Sequence, residues 1–373
     1  MADHDNAGDR SPGMPAEPER RAGNEDRPGR RHGKRRRSRK SAVALIVGLL
    51  VVVIAGGLAI AGLVIQSQIK GEIDYFEDPF EELTERPNSA EGEEGEADPL
   101  NFLVLGSDSR ISAGDPTQWE FGAQRTDAIL LVHLPGDRQS AQVMSIPRDS
   151  WVEIPGYGTN KINAAFSFGG PPLMIQTVEQ LTGVHIDHFA VTDFEAFAAL
   201  TDELGGVEIT LPDGLNQGGV QLEPGTHLLN GEQALAYVRQ RYGLSGGDFD
   251  RVQRQQNWMR AILKAAFDND VLTNPGKLVS FLRTVASSVA VDEGFEIEQM
   301  RTLALSLRDI RPGDLTFMTV PVAGTDTSSD GQSIVVLDQE PFDALMAAVA
   351  ADDEVAQYIK DHPELTTLGS DVS

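Results

Sequence analysis

The chain has 373 residues, a net charge of −26 and no cysteine. That length holds one large or two ordinary domains, and the missing thiols exclude disulfides, thiolate zinc sites and a cysteine nucleophile. Residues 1–41 carry 12 Lys/Arg against 7 Asp/Glu, which leaves −31 on the remainder and argues against nucleic-acid binding by the main body.

Residues 1–41 are rich in Gly, Pro and charge and poor in apolar side chains, so they are predicted to be a disordered basic tail. The run Arg30 to Lys40 could be read as a nuclear-localisation or nucleic-acid patch. It abuts, however, the uncharged segment 42–65, whose 24 residues would reach about 36 Å as a helix and cross a hydrocarbon core of about 30 Å. A cleavable signal peptide with a site at Ala59-Ile60-Ala61 is the competing reading. Its apolar region would be only about 7–15 residues, whereas this one is longer before the site and continues past it. The expectation is a single-pass membrane protein with one transmembrane helix at 42–65, a cytoplasmic N-terminus and an extracytoplasmic body. Residues 66–98 are acidic, with Glu91 to Glu96 at their centre, and are predicted to form a stalk. Tyr75, Phe76 and Phe80 interrupt it and could pack on the body or on the membrane surface.

The globular domain is placed at 99–350 and a flexible tail at 351–373. Strands are predicted at 101–105, 128–134, 140–146, 188–192 and 207–211, and a helix at 172–181. Another helix, capped by Thr192 or Asp193, ends at Gly205-Gly206. Interleaving of this kind points to an α/β sandwich: a mixed central sheet flanked by helices, preceded by the transmembrane helix. Phe166, Phe168, Phe189, Phe194 and Phe197 fall in one short span. They read either as ordinary core or as the lining of a lipid-binding cavity.

Charge gathers where apolar runs end: Asp108 and Arg110, then Arg125 and Asp127, then Arg148 and Asp149, then Lys161. Carboxylates alternating with cations suit a site that holds a divalent metal and a phosphorylated substrate together, since acids take the metal and cations the phosphate oxygens. Surface salt bridges are the alternative. Further on, Arg239 and Arg241 can share a face only if the helix from Gln233 ends by about Val238. A helix is predicted from Asp248 to about Phe267, with Arg251, Gln255 and Trp258 on one stripe and Arg254 at its edge. That stripe begins where the helix dipole favours an anion.

The ordered blocks Leu105 to Arg110, Arg125-Thr126-Asp127, Ser145 to Asp149, Lys161 to Ala164, Tyr237 to Arg241 and Asp248 to Gln256 resemble the LytR-CpsA-Psr (LCP) family of bacterial envelope proteins. The resemblance covers roughly Pro99 to Phe267 and extends to the anchor topology. Asp250 stands where many members have glycine.

The resemblance implies a phosphotransferase of the polyisoprenyl-teichoic acid–peptidoglycan transferase type. Such an enzyme moves a glycopolymer-phosphate from a polyprenyl-pyrophosphate lipid carrier to a peptidoglycan hydroxyl during cell wall assembly. By similarity Asp108 and Asp127 would bind Mg²⁺ (or Mn²⁺), and Asp108, Arg125, Asp127 and Arg148 would form the catalytic set. Arg125, Arg148, Lys161, Arg239, Arg241, Arg251 and Gln255 would hold the pyrophosphate, and Arg110 and Arg254 stand beside the same motifs. Breaking a phosphoanhydride asks mainly for positioning and for charge stabilisation, which this residue set suits. Asp108 and Asp149 are both open as the base for the acceptor hydroxyl. The competing functions are a phosphohydrolase using water as acceptor, an envelope-related transcriptional attenuator, and a non-catalytic lipid-binding module. The basic tail has no helix-turn-helix pattern, which weighs against regulation of transcription. The polymer is open among teichoic acid, arabinogalactan and capsule.

Overall fold

The structure, a computed structural model, describes residues 74–107, 126–240, 248–269, 271, 274–286, 289–307, 309–365, 367–369 and 372. The expected cytoplasmic tail and transmembrane helix lie outside the described residues, as do Asp108, Arg110, Arg125 and Arg241. No helix among the described residues is long and apolar enough to cross a membrane.

The strands are β1 (Asp74–Phe76), β2 (Leu100–Ser107), β3 (Thr126–Leu134), β4 (Ala141–Ile146), β5 (Trp151–Ile154), β6 (Gly158–Lys161), β7 (His188–Asp193), β8 (Val207–Leu211), β9 (Leu215–Gln217), β10 (Val220–Leu222), β11 (Gly225–Leu229), β12 (Val289–Asp292), β13 (Leu315–Thr319), β14 (Val322–Thr327) and β15 (Ser333–Leu337). The helices are α1 (Asn163–Thr182), α2 (Phe194–Glu203), α3 (Gly231–Arg239), α4 (Asp248–Asp268), α5 (Pro275–Ala286), α6 (Ile297–Ser306), α7 (Gln339–Ala351) and α8 (Val355–Asp361). Seven strands form the central sheet in the order β1-β12-β7-β2-β3-β4-β13. It is mixed: β2 runs parallel to β7 and β13 to β4, whereas β3 is antiparallel to both its neighbours.

Alternation along each strand sends neighbouring side chains to opposite faces. Leu103, Leu105, Ile129, Leu131, Met144 and Ile146 belong to one core, with Met174 and Val178 of α1, Phe342 and Leu345 of α7 and Ile359 of α8. Val104, Leu130, Val132, Val143 and Phe317 meet Met259 and Leu263 of α4 on the other face. A second core joins α2, α3 and α4 to the paired strands β8 and β11 around Tyr237 and Trp258. The expected mixed α/β architecture is therefore present. The expected helix from Pro172 extends back to Asn163, across a break at Gly169 and Gly170 that precedes Pro171 and Pro172. Proline supplies no N–H for the ladder, so the helix bends there.

Two boundaries move. The expected stalk is in part folded onto the body: β1 pairs with β12, Phe80 and Leu83 pack on the main core, and Arg86 forms an ion pair with buried Glu179. The acidic composition concealed these few anchors. The expected tail is also engaged, because α8 contributes Val355 and Ile359 to the core, Val372 is buried, and Leu368 N–H donates to Phe317 O at 2.8 Å.

At the end of the sheet where β2 begins, buried His133 bridges Asn101 Oδ1 (2.8 Å) and Asp352 Oδ1 (3.0 Å), while Asp352 Oδ2 accepts Gly136 N–H (2.9 Å). This clasp fastens the end of α7 to the β3–β4 turn. Burial raises the Asp352 carboxyl, but the hydrogen bonds from His133 and Gly136 and the nearby Arg138 outweigh it and leave it below its ordinary value. A carboxylate depressed by folding contributes stability above its unfolded pKa of about 3.9 and loses it as pH falls through the lower folded value. Asp352→Asn is expected to lower stability at neutral pH and flatten its acid limb, read by urea titrations between about pH 6 and pH 2. An unchanged acid limb would show that the clasp carries none of the acid sensitivity.

Candidate active site

One end of the sheet collects the charged blocks. Val191, Leu105, Ile129 and Ile146 form one row across β7, β2, β3 and β4, and Thr319 of β13 pairs with Ser145 in the row before it. The carboxyl ends of β2, β4, β7 and β13 and the amino end of β3 therefore share an edge. Loops beyond the carboxyl ends of strands are where open α/β sheets bind ligands. In the chain Asp108 follows β2 directly, Arg125 precedes β3, Asp127 is its second residue, and Arg148 and Asp149 follow β4. Gly106 pairs with Ala128 and Ser107 with Thr126, so the register shifts at Asp127. A bulge there re-aims the strand, a device common beside active sites.

Beyond β4 the chain turns, with Ser150 N–H bonded to Pro147 O, and it is held from both sides. Val335 N–H donates to Asp149 O at 2.9 Å and Asn163 N–H to Arg148 O at 3.2 Å. Lys161 ends β6, opposite Trp151, and its Nζ lies 3.1 Å from Asp149 Oδ1, while Arg148 Nε lies 3.8 Å from Asp149 Oδ2. All three side chains are about one-fifth exposed, so the group is ordered yet open to a ligand.

The second basic block is built by α3 and α4. Asn230 and Gln233 form a capping box that starts α3, and the helix ends at Arg239, with Gln240 extended. The helix thus ends one residue later than expected, and Arg241 lies outside the described residues. On α4, Arg251, Arg254 and Gln255 are all buried. Arg254 Nη1 donates to Tyr237 O (3.2 Å) and Gln240 Oε1 (3.1 Å), and its guanidinium lies 4.6 Å from the Tyr237 ring centroid. Burial lowers the Arg254 pKa, against the opposing influence of Tyr237, Asp250 and Asp213. Arg254 therefore braces the end of α3 that carries Arg239. Trp258 leaves the stripe for the second core, where its Nε1 donates to Thr201 Oγ1 (2.8 Å).

Gln256 joins the two blocks. Its Nε2 donates to Ser145 Oγ and to Met318 O, both at 2.8 Å, which docks α4 against β4 three residues before Arg148. The repeated glutamine in Gln255-Gln256 was the available signal for this residue, but its partners lie 111 and 62 residues away. The structure thus brings Arg148 and Lys161 together with Asp149 and ties α4, with Arg251 and Gln255, to the same strand end. The side chain of Asp127 and those of Phe194 and Phe197 are not described. Of the described phenylalanines of that span, Phe166 and Phe189 belong to the main core, whereas Phe168 is 41% exposed. Among the described residues no group of three or more His, Cys, Asp or Glu could hold a metal ion.

The model of the LytR_cpsA_psr family matches residues 72–350. The cell wall biosynthesis protein LcpA of Corynebacterium glutamicum is 32% identical over 295 residues, which are 69% of this chain and 56% of that protein. The probable cell wall biosynthesis protein LcpB of the same organism is 34% identical over 257 residues, 67% of this chain and 60% of that protein. This chain thus spans less than two thirds of either relative's length. TagT, a Bacillus subtilis protein solved bound to LI-WTA, is 26% identical with a TM-score of 0.55, covering 72% of this chain and 96% of that one. With the charged blocks gathered at one end of a mixed sheet and the family model matching most of its length, the chain belongs to the LytR-CpsA-Psr family.

Proposed function

We propose that the protein transfers a glycopolymer-phosphate from a polyprenyl-pyrophosphate carrier to a peptidoglycan hydroxyl. The observation that carries this reading is the convergence of Arg148 and Lys161, set by Asp149, with the Gln256-docked helix of Arg251 and Gln255 at one sheet edge. Two relatives named for cell wall biosynthesis and a TagT structure bound to LI-WTA support it. In the reaction the acceptor oxygen attacks the glycan-side phosphorus. The phosphoanhydride bond breaks, the lipid monophosphate leaves with the bond's electron pair, and the hydroxyl proton passes to a carboxylate. Arg148, Lys161, Arg239, Arg241 and Arg251 hold the phosphate oxygens, together with Gln255 and Arg125. Asp149 keeps Lys161 and Arg148 in place, and Asp108 and Asp149 are the carboxylates open to that proton. Asp108 follows β2 in the chain and Asp127 sits at the register shift near the start of β3, and carboxylates are oxygen donors that Mg²⁺ or Mn²⁺ takes. Asp108 and Asp127 would hold such an ion, which would supply charge neutralisation for the phosphates.

We place residues 42–65 across the cell membrane with the basic tail inside. The uncharged run beside a dozen Lys/Arg supports that arrangement.

The test uses the full-length chain in detergent with a synthetic polyprenyl-pyrophosphoryl disaccharide and a peptidoglycan oligomer, with and without Mg²⁺, read by mass spectrometry. A metal-dependent sugar-phosphoryl peptidoglycan adduct is expected, and free sugar-phosphate alone would favour hydrolysis instead. Lys161→Ala is expected to raise KM for the lipid donor about tenfold, the loss of one charge-assisted phosphate contact. An unchanged KM would remove Lys161 from the donor site.

A further inference from the structure

Tyr157 and Phe168 are 54% and 41% exposed, yet their rings stack, with centroids 4.7 Å apart and planes 17° from parallel. Backbone geometry holds both outward. Tyr157 sits at the tip of the β5–β6 hairpin between Gly156 (φ 78°) and Gly158 (φ 71°), left-handed positions that glycine adopts without strain. Its N–H donates to Ile154 O at 2.9 Å, which closes the turn. Phe168 stands immediately before the Gly169–Gly170 break in α1, and its carbonyl accepts the Tyr157 hydroxyl at 3.5 Å. Two rings joined on the surface in this way form a contiguous apolar face, a feature that marks a binding surface.

We propose that the Tyr157–Phe168 pair is a stacking platform for the sugar rings of the glycan strand that supplies the acceptor hydroxyl. The choice of an acceptor glycan rests on the transfer reading above. The first argument is continuity with the site. The hairpin carries Tyr157 at its tip and Lys161 at its base, about 13 Å along the chain at roughly 3.3 Å per residue, the scale of a short run of sugars. Charge is the second argument. Exposed Glu153, bonded to Thr159 Oγ1 at 2.9 Å, faces Thr159 across the same hairpin. Those groups suit hydroxyls and amides, and the carboxylate disfavours a phosphate-rich polymer or an anionic lipid surface. Shape is the third. A pyranose ring has a flat C–H face and a polar rim, which an aromatic face beside polar groups accommodates. With the donor phosphates on Arg148 and Lys161, the acceptor needs a separate foothold to present its hydroxyl.

The experiment titrates the full-length chain in detergent with chitotetraose, an uncharged hexosamine strand, by calorimetry. The acceptor and donor KM values and binding of a soluble short-chain phosphatidylglycerol are measured in parallel. Tyr157→Ala and Phe168→Ala are each expected to weaken chitotetraose binding about tenfold, the size of one lost aromatic stacking contact. Tyr157→Trp should retain binding. The acceptor KM should rise in both alanine variants while the donor KM stays fixed. Absence of binding by the unsubstituted chain, or equal affinity in both alanine variants, would overturn the proposal. So would loss of the lipid's binding with glycan affinity intact, or a rise in donor KM instead. Binding is read without turnover, so a chain that takes chitotetraose through this pair but transfers nothing would sink the transferase reading and keep the platform.

Discussion

Arg86→Ala is expected to destabilise the protein by about 3–5 kcal/mol, because it strands a buried carboxylate. Glu179 is 2% exposed and receives Arg86 Nε at 3.1 and 3.2 Å and Arg86 Nη2 at 2.7 Å. Its remaining partner is Ile186 N–H at 3.0 Å, and Arg86 Nη2 also donates to Ile186 O. The guanidinium lies 4.6 Å from the Phe80 ring centroid, so the same side chain fixes the 77–98 strap to α1. Without it one N–H must satisfy a full charge in the interior, whereas removing both charges together leaves no such debt of solvation. Arg86→Leu combined with Glu179→Leu should therefore be markedly more stable than Arg86→Ala. Urea denaturation checks both, with exposed Glu85→Ala as a control expected within about 0.5 kcal/mol of the parent. A loss below about 1 kcal/mol in Arg86→Ala would mean that the strap is held by Phe80 and Leu83 alone.

Asp127→Asn is expected to reduce turnover by roughly 10²–10³-fold, the range seen when a charge-stabilising group is removed from an active site. The argument rests on backbone register. Asp127 lies between the Ala128–Gly106 and Thr126–Ser107 pairs, where the ladder shifts, and Asp108 is the residue that follows Ser107 in the chain. The change keeps the side chain's size and removes its charge, so stability should stay within about 0.5 kcal/mol while the metal requirement rises. Activity measured against Mg²⁺ concentration decides: turnover and metal dependence equal to the parent's would remove Asp127 from the metal assignment.

The sheet was legible because its strands are apolar runs bounded by polar turns. The runs at 101–105, 128–134 and 207–211 become β2, β3 and β8 with ends within a few residues. The charged ends of the first two runs marked the candidate site for the same reason. What escaped was long-range pairing. β1 is three residues inside an acidic stretch, and it becomes a strand by pairing with β12, more than two hundred residues later. Nothing near Arg86 announces Glu179, 93 residues away. The phenylalanines were grouped by proximity in sequence, but the break in α1 turns Phe168 outward while Phe166, two residues earlier, stays buried. Arg254 looked like an edge member of an anion-binding stripe because helical spacing says which residues are neighbours, without saying that the backbone at Tyr237 would claim its guanidinium.

The last residues of the chain also bear on solubility. β13 is the final strand of the sheet, and its outer side is occupied by the chain itself, through the Met318–Thr367 bridge and the Leu368 bond to Phe317 O. Arg260 Nη1 fastens that segment by donating to Gly369 O at 2.7 Å. An uncovered edge carrying Leu315 and Phe317 is a template on which a second molecule can add a strand. The C-terminal segment sits in the place that molecule would take, so the protein guards itself against edge-to-edge self-association with residues beyond the reach of the family match.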